Sequence, residues 1–464
     1  MKRPTNLIGL EQALQMDRAE VVETWKTYLS TPVAATQAML KFDRQYVRAA
    51  GASLWDAEGN EYLDFVGGYG AVNLGHNHPR LLEAIRRVEQ YPKIMQTAVQ
   101  HLPAVLAANL ARLAPGDLTR VFFCNSGAEA VEGALKLARA ATGRTRFIYC
   151  ENSFHGKTFG ALSVTGRSKY QKPFAPLLPD CTAVPFGDLE ALEKELATGK
   201  AAAFIVEPIQ GEAGIILPPP GYLIEARRLC TKHGALFIAD EVQTGFGRTG
   251  TVFACEAENV VPDVLCLAKS LGGGIIPAGA YITTDDLWKK AYGTLDKALL
   301  HTSTFGGYWG NGLACAVGIA TLEVLLEEDL AGQAREKGAY FLNKLQALKE
   351  KYPLVKDVRG RGLLIGLELA DTGGGLMKKL SFGALDKLAD EYLGTLVAME
   401  LVLKHRVVTI YTLNNPNVIR LEPPLVVTRQ QLDYAVEALE SVLSKHRSFL
   451  GVAAAGLGAV LRRS

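Results

Sequence analysis

An aspartate and a lysine, each placed at the end of a short apolar run, carry the first chemical signal in this chain. Asp240 closes A-L-F-I-A-D, and Lys269 follows V-L-C-L-A. Such a run reads as a buried strand that ends at a sheet edge and presents the next side chain there. An amine in that position can form a Schiff base with an aldehyde. A carboxylate can hold a pyridine nitrogen protonated, so that the ring accepts electrons. The pair suits the chemistry of pyridoxal phosphate. Taken singly, the two read as a loop aspartate and a surface lysine, and it is their company that argues for chemistry.

That company begins at V-F-F-C-N-S-G-A-E-A, where a strand pattern passes into an amphipathic helix with Ser126, Gly127 and Ala128 at its start. Free N–H groups and the positive dipole end make such a start a phosphate site, to which the Ser126 hydroxyl can add. Plain N-capping by serine explains the same residues. In N-S-F-H-G-K-T, Phe154 can lie flat on a heterocycle with His155 beside it; a core phenylalanine and a hydrogen-bonded histidine are the alternative. Glu207 and Glu212, in V-E-P-I-Q-G-E, follow another strand, where open α/β sheets bind ligands; otherwise they are exposed loop acids. Val242 lies two residues past Asp240 and shares its face if the strand continues. It can pack on one side of a coenzyme ring with Phe154 on the other, and Gln243 can reach the phenolic oxygen. Thr304, in H-T-S-T-F-G-G, is a phosphate donor among glycines or an ordinary loop threonine.

These residues need a scaffold, and the chain supplies an alternating one. Residues 1–40 read as helix plus loop. Residues 44–66 read as strands joined by the turn signal A-E-G-N. From about 80 to 330 seven strand candidates alternate with helical patterns: V-F-F-C, R-F-I-Y-C, C-T-A-V-P-F, A-A-F-I-V-E, A-L-F-I-A-D, V-L-C-L-A and G-A-Y-I-T-T. Helices are expected to begin near Ala128, Leu189, Tyr222 and Gly310. The alternation predicts a largely parallel α/β sheet with helices on both faces. A long helix over about 311–350 leads to a smaller α/β unit. Its strands are V-R-G-R-G-L-L-I-G-L-E-L and N-V-I-R-L-E-P-P-L, and a helix over about 429–447 closes it. The expected organisation is an N-terminal segment (1–79) belonging to the small domain, a large coenzyme domain (80–335) and a C-terminal small domain (336–464).

Composition excludes other classes. The 464 residues are 48% hydrophobic and 21% charged, with a net charge of +2, which gives no argument for nucleic acid or an anionic membrane. Seven cysteines, an odd number and widely spaced, contain no C-x-x-C pair, so neither a metal site nor a disulfide framework is expected. Buried reduced thiols in a cytoplasmic protein fit better. No apolar signal region opens the chain, and no stretch reaches the length of a membrane span.

The motifs N-S-G-A-E-A, F-H-G-K-T, V-E-P-I-Q-G-E, D-E-V-Q-T-G-F-G-R-T-G, A-K-S-L-G-G-G and S-T-F-G-G occur in one order. From about residue 40 to 445 the chain resembles the class III (ω-amino) aminotransferases, pyridoxal-phosphate enzymes of fold type I. Within that family P-F-A-P-L-L-P, P-F-G-D-L-E-A-L, L-P-P-P-G-Y-L and T-L-N-N-P-N-V-I-R-L-E-P-P-L are most similar to putrescine aminotransferases, with ornithine and acetylornithine aminotransferases next. The resemblance implies a large domain with a mostly parallel seven-stranded sheet and a smaller α/β domain. It implies Lys269 as the Schiff-base lysine and Asp240 as the partner of the pyridine nitrogen. Ser126, Gly127 and Ala128 then hold the phosphate, Phe154 and Val242 enclose the ring, and Gln243 lies near the phenolic oxygen. Thr304 is implied to reach the phosphate of a second subunit, so the expected assembly is a homodimer with shared active sites, or a tetramer. Glu207 matches a structural glutamate of the family. Glu212 and Arg420 are implied to form a switchable ion pair that opens to bind the α-carboxylate of 2-oxoglutarate; a static buried pair is the alternative. The implied reaction moves a terminal amine, from putrescine or a related diamine, to 2-oxoglutarate, giving an aldehyde and glutamate. An ornithine or acetylornithine aminotransferase, or a racemase or isomerase on the same fold, is the alternative. Two departures stand out. Tyr308 and Trp309 intervene after S-T-F-G-G, which places them near a subunit interface or the substrate entrance. The stretch from Ala370 to Gly394 is longer than the putrescine-type pattern.

Overall fold

The structure is a computed structural model that describes residues 7–370 and 384–446. Helices Leu10–Gln15, Arg18–Trp25 and Thr31–Met39 lead into β1 (Tyr46–Ala50), β2 (Ser53–Asp56) and β3 (Glu61–Asp64). β2 and β3 pair antiparallel across the A-E-G-N turn, where the Asp56 carboxylate accepts the Asn60 N–H at 2.8 Å.

The seven strand candidates all form and make one sheet. They are β4 (Leu118–Cys124), β5 (Arg146–Cys150), β6 (Cys181–Val184), β7 (Ala201–Val206), β8 (Leu236–Asp240), β9 (Val264–Leu267) and β10 (Gly279–Thr284), in spatial order β4-β10-β9-β8-β7-β5-β6. β10 runs antiparallel to both neighbours, and every other pairing is parallel. The runs are continuously apolar because helices cover both faces. Phe147 and Tyr149 enter one core, with Val131, Leu135 and Ala138 of helix Gly127–Thr142. Ile148 and Cys150 enter the other, with Leu223, Ala226 and Cys230 of helix Tyr222–His233. Since β4, β7, β8 and β9 point the same way, their C-terminal ends share one sheet edge, and the residues that follow them are brought together there.

The C-terminal part adds β11 (Val355–Arg361), β12 (Leu364–Leu369), β13 (Val407–Val408), β14 (Ile410–Tyr411) and β15 (Val418–Leu421). Four of them form a second sheet, β11-β12-β15-β14, while β13 runs parallel to β3 with Val407 opposite Leu63. The C-terminal part is therefore knit to the N-terminal segment.

Two expectations need correction. The long helix over 311–350 is two helices, Gly312–Glu327 and Leu330–Lys351. Asp329 breaks it: its backbone is left-handed (φ +45°) and its carboxylate caps the Gly332 N–H at 3.1 Å. V-R-G-R-G-L-L-I-G-L-E-L is a hairpin of β11 and β12 rather than one strand, turning at Gly362 (φ +57°), a conformation that glycine adopts without strain. Of the long stretch after Ala370, residues 371–383 lie outside the described residues, and helix Ala384–His405 begins beyond them. The apolar tail from 447 lies outside them as well. Among the described residues no helix is long and apolar enough to cross a membrane.

Candidate active site

A cavity of about 840 Å³ opens at the shared sheet edge. Eleven of the residues singled out in the sequence line it: Ser126, Gly127, Ala128, Phe154, His155, Glu207, Glu212, Asp240, Val242, Gln243 and Lys269. They arrive from different strand ends. Ser126 lies two residues past β4, Glu207 one past β7, Asp240 ends β8, and Lys269 lies two past β9.

Lys269 sits in the left-handed region (φ +46°), which costs a non-glycine residue about 1–3 kcal/mol and turns the chain sharply as it leaves β9. Its amine makes no hydrogen bond or ion pair among the described residues. Burial pushes its ammonium below the ordinary lysine range, against the attraction of Glu422.

Asp240 is buried, and both of its oxygens are engaged. Oδ2 meets His155 Nδ1 at 2.6 Å, and Oδ1 accepts the Val242 N–H at 3.1 Å. Each carboxylate oxygen has a second lone pair, so a further donor from the cavity can be accepted. His155 is itself buried and fixed through its N–H to Thr165 Oγ1 at 3.0 Å. Behind this pair lies Glu207, whose oxygens accept the N–H groups of Phe154 (2.8 Å) and Gly211 (3.1 Å). Burial pushes Glu207 up to about 7; His155 opposes that rise and Asp240 adds to it.

Ser126 caps helix Gly127–Thr142 by accepting the Glu129 N–H at 3.2 Å. As the first two helical residues, Gly127 and Ala128 have N–H groups with no intrahelical acceptor. Gly127 must be glycine because a Cβ there would lie 2.7 Å from Val242 Cγ1. The helix start is thereby pressed against the floor of the cavity.

Arg420 stands behind Glu212, off the cavity wall and fully buried. Its Nη2 donates to Glu212 Oε1 at 2.6 Å, its Nη1 donates to Glu422 Oε2 at 3.0 Å, and its guanidinium lies 5.0 Å from the Tyr69 ring centre. Burial alone would raise the Glu212 carboxyl, but Arg420 reverses this and holds it below the usual range. The Gln243 amide lines the cavity and also donates to Glu422, at 3.1 and 3.3 Å.

Thr304 is not in this group. It is exposed, outside its own chain's cavity, and its carbonyl accepts from Gln96. Tyr308 packs on Trp288 and donates to the Ala298 carbonyl, and neither Tyr308 nor Trp309 lines the cavity. Several contributors were not singled out in the sequence, Glu422, Tyr69 and Lys157 among them. Glu422 lies two residues past Arg420, a spacing that puts both on one face of β15 and its continuation. Tyr69 stands among glycines in G-G-Y-G, the pattern that drew notice to Thr304, and Lys157 follows F-H-G directly.

A pyridoxal phosphate would find matching groups here: an amine, a buried carboxylate with spare lone pairs, and free N–H groups at a helix start. The chain matches the family model described as aminotransferase class-III over residues 34–443. The ornithine aminotransferase of Toxoplasma gondii ME49 is 31% identical with a TM-score of 0.82, over 95% of this chain and 99% of that one. The acetylornithine aminotransferase of Elizabethkingia anophelis is 31% identical, TM-score 0.74, over 93% and 100%. An amine transaminase from an uncultivated Pseudomonas species, solved in its pyridoxal-phosphate-bound form, is 32% identical, TM-score 0.75, over 87% and 96%.

Proposed function

The chain belongs to the class III aminotransferases, pyridoxal-phosphate-dependent enzymes of fold type I, and from that premise we propose that it moves a terminal amino group from a diamine of the putrescine kind to 2-oxoglutarate. The observation that carries the donor class is the position of Arg420. It lies buried behind Glu212 and Tyr69, so the resting cavity offers a carboxylate and no guanidinium. That wall suits an ammonium group at the far end of a donor.

Pyridoxal phosphate supplies an aldehyde carbon that takes up an amine and a ring that draws off the electrons left when a proton departs. The remaining roles belong to this chain's residues. Lys269 provides the amine that holds the coenzyme. The same Nζ would carry the proton between the reacting carbons. Burial raises the neutral fraction of that amine, the form able to accept a proton. Asp240, oriented by His155 and the Val242 N–H, holds a proton on the ring nitrogen. Ser126 and the N–H groups of Gly127 and Ala128 take the phosphate. Phe154 and Val242 would close on the ring, and Gln243, on the cavity wall, would serve the phenolic oxygen. Glu212 covers Arg420 while the donor reacts and gives it up to the α-carboxylate of the oxo acid. Thr304, exposed on its own chain, serves the phosphate of a neighbouring subunit in a homodimer.

A second reading has support of its own. The match to the Toxoplasma ornithine aminotransferase runs over nearly the full length of both chains. Ornithine and its acetylated form are thus the competing donors. A donor panel of putrescine, cadaverine, ornithine and acetylornithine, each with 2-oxoglutarate or pyruvate, decides between them. The diamine reading expects putrescine to give the highest kcat/KM. A higher value for ornithine or acetylornithine would overturn it.

A further inference from the structure

Arg420 carries two carboxylates, and they are held differently. Glu422 is fully buried. It takes Arg420 Nη1 on Oε2 at 3.0 Å and the Gln243 amide on both oxygens, and Arg248 Nε lies 3.8 Å from its Oε1. Backbone boxes it in as well, since a Cβ on Gly70 would lie 2.8 Å from Oε1. Glu212, by contrast, leaves 13% of its side chain exposed on the loop after β7. Its carboxylate has two partners, Arg420 Nη2 and the Leu413 N–H at 2.9 Å. One arm of the pair can swing, and the other cannot.

The guanidinium has a further feature. Its Nε–H is buried and has no hydrogen-bond partner among the described residues. Nε and Nη2 together form one edge of the planar fork, the edge a carboxylate takes with two parallel hydrogen bonds. Glu212 takes Nη2, one of the two nitrogens of that edge, and leaves Nε without a partner among the described residues.

We infer that Glu422 is a positioning residue that sets specificity for the oxo acid: by holding Nη1 it aims the Nε–Nη2 edge at the place of Glu212, so an α-carboxylate that displaces Glu212 makes two hydrogen bonds where Glu212 makes one. This rests on the reading of Glu212 and Arg420 as an exchangeable pair. Two other groups complete the device. Arg248 is pinned by the carbonyls of Leu363 (2.9 Å) and Pro423 (2.6 Å) and by Asn73 Oδ1 (2.6 Å), so it cannot follow Glu422 or replace it. Tyr69 lies against the guanidinium and limits rotation about its stem. The guanidinium therefore behaves as a fixed plate whose one free edge is exchanged between two carboxylates.

The test separates reach from charge. Glu422→Asp keeps the charge but withdraws the carboxylate from Nη1; Glu422→Gln keeps an acceptor at the same reach without the charge. Both variants are prepared as holoenzymes and charged with whichever amine the donor panel ranks first. They are then titrated with 2-oxoglutarate in single-turnover reactions, with the donor half-reaction measured separately. Glu422→Asp should raise the apparent Kd for 2-oxoglutarate at least tenfold, a larger factor than it takes from the donor half-reaction. Glu422→Gln should recover most of that lost affinity. The inference is overturned if Glu422→Asp leaves the Kd within threefold, if it slows both half-reactions alike, or if Glu422→Gln loses as much affinity. The Glu422→Gln result stands by itself should the aspartate variant not fold: a tenfold loss there overturns the inference. Glu212→Ala separates this from the reading beneath it. Unchanged oxo acid affinity in Glu212→Ala sinks the exchangeable pair. A gain there, with no effect of Glu422→Asp, sinks the role of Glu422 alone.

Discussion

Removing Glu212 should tighten the oxo acid site, and the size of the gain follows from what Glu212 does at rest. Its carboxylate receives one hydrogen bond from the buried Arg420 guanidinium, at 2.6 Å, and one from the Leu413 N–H, at 2.9 Å. An incoming α-carboxylate must break the first of these before it binds. A hydrogen bond to a charged group contributes about 1.5–3 kcal/mol net. At about 1.4 kcal/mol per factor of ten, Glu212→Ala should tighten 2-oxoglutarate binding roughly ten- to a hundredfold. Stability should fall by about the same 1.5–3 kcal/mol, less than the 3–5 typical of a wholly orphaned buried charge, because Glu422 still pairs with Arg420. Donors should respond in the opposite sense. The variant exposes a guanidinium to the donor, so amines with an α-carboxylate should gain on diamines in kcat/KM. The assay is a rapid-reaction titration of the amine-charged enzyme with 2-oxoglutarate, set beside steady-state kinetics for putrescine and ornithine. Equal damage to both half-reactions, or an unchanged oxo acid affinity, would mean that Glu212 and Arg420 form a static pair, and the reasoning would fail.

Three further outcomes are expected. Borohydride reduction of the holoenzyme followed by peptide mapping should place the coenzyme on Lys269, and Lys269→Ala should lose nearly all turnover while still taking up coenzyme; label on another lysine refutes the assignment. Asp240→Asn should keep its fold yet slow the proton-transfer step by a factor of about 10² to 10³, the loss expected for a preorganised electrostatic contact, and near-normal turnover would contradict the role of Asp240. Glu207 should make stability fall as pH rises: burial pushes it up to about 7, so the folded protein keeps a proton there that the unfolded chain has released. That contribution, about 3 kcal/mol at 1.4 kcal/mol per pH unit, is complete below the ordinary glutamate range and lost as pH passes through 7. Thermal unfolding of the apoprotein from pH 5 to 8 should show the decline, and Glu207→Gln should flatten it; equal slopes in both proteins would remove Glu207 as the cause.

The large sheet could be read from the chain because its strands are buried on both faces. V-L-C-L-A and A-L-F-I-A-D have no polar residue to interrupt them, and the residues that end such runs must collect at one edge. Breaks were harder to see. Glu328 and Asp329 look like any polar pair on a helix surface, and the turn there depends on a side chain folding back onto its own backbone. The hairpin of β11 and β12 hides in an apolar run for a similar reason: a single left-handed glycine reverses the chain. The Glu212–Arg420 pair spans 208 residues, and no local pattern announces it; the family motifs brought those two together. Glu422 gives no signal of its own because V-I-R-L-E-P-P-L reads as a strand running into a proline turn, which it also is.

The residues that the sequence did place, and those it did not, belong to two charge systems that meet through one short segment. Asp240, His155 and Glu207 form the first, on the ends of β7 and β8 and the loop after β5. Arg420, Glu422, Glu212 and Arg248 form the second, drawn from β15, the segment just beyond it and the loops around it. The chain from Asp240 to Arg248 joins them. Val242 gives its N–H to Asp240, Gln243 gives its amide to Glu422, and Arg248 anchors the carbonyls of Leu363 and Pro423. D-E-V-Q-T-G-F-G-R is thus more than the surroundings of one aspartate. A shift of Asp240 relative to β15 would strain Gln243, and a shift of β15 would draw on the same residue from the other side. The distance between Asp240, proposed to hold the coenzyme ring, and Arg420, proposed to hold the oxo acid, is therefore tied to these nine residues through the contact of Gln243 with Glu422. Transamination requires that distance to stay the same while two different substrates occupy the cavity in turn.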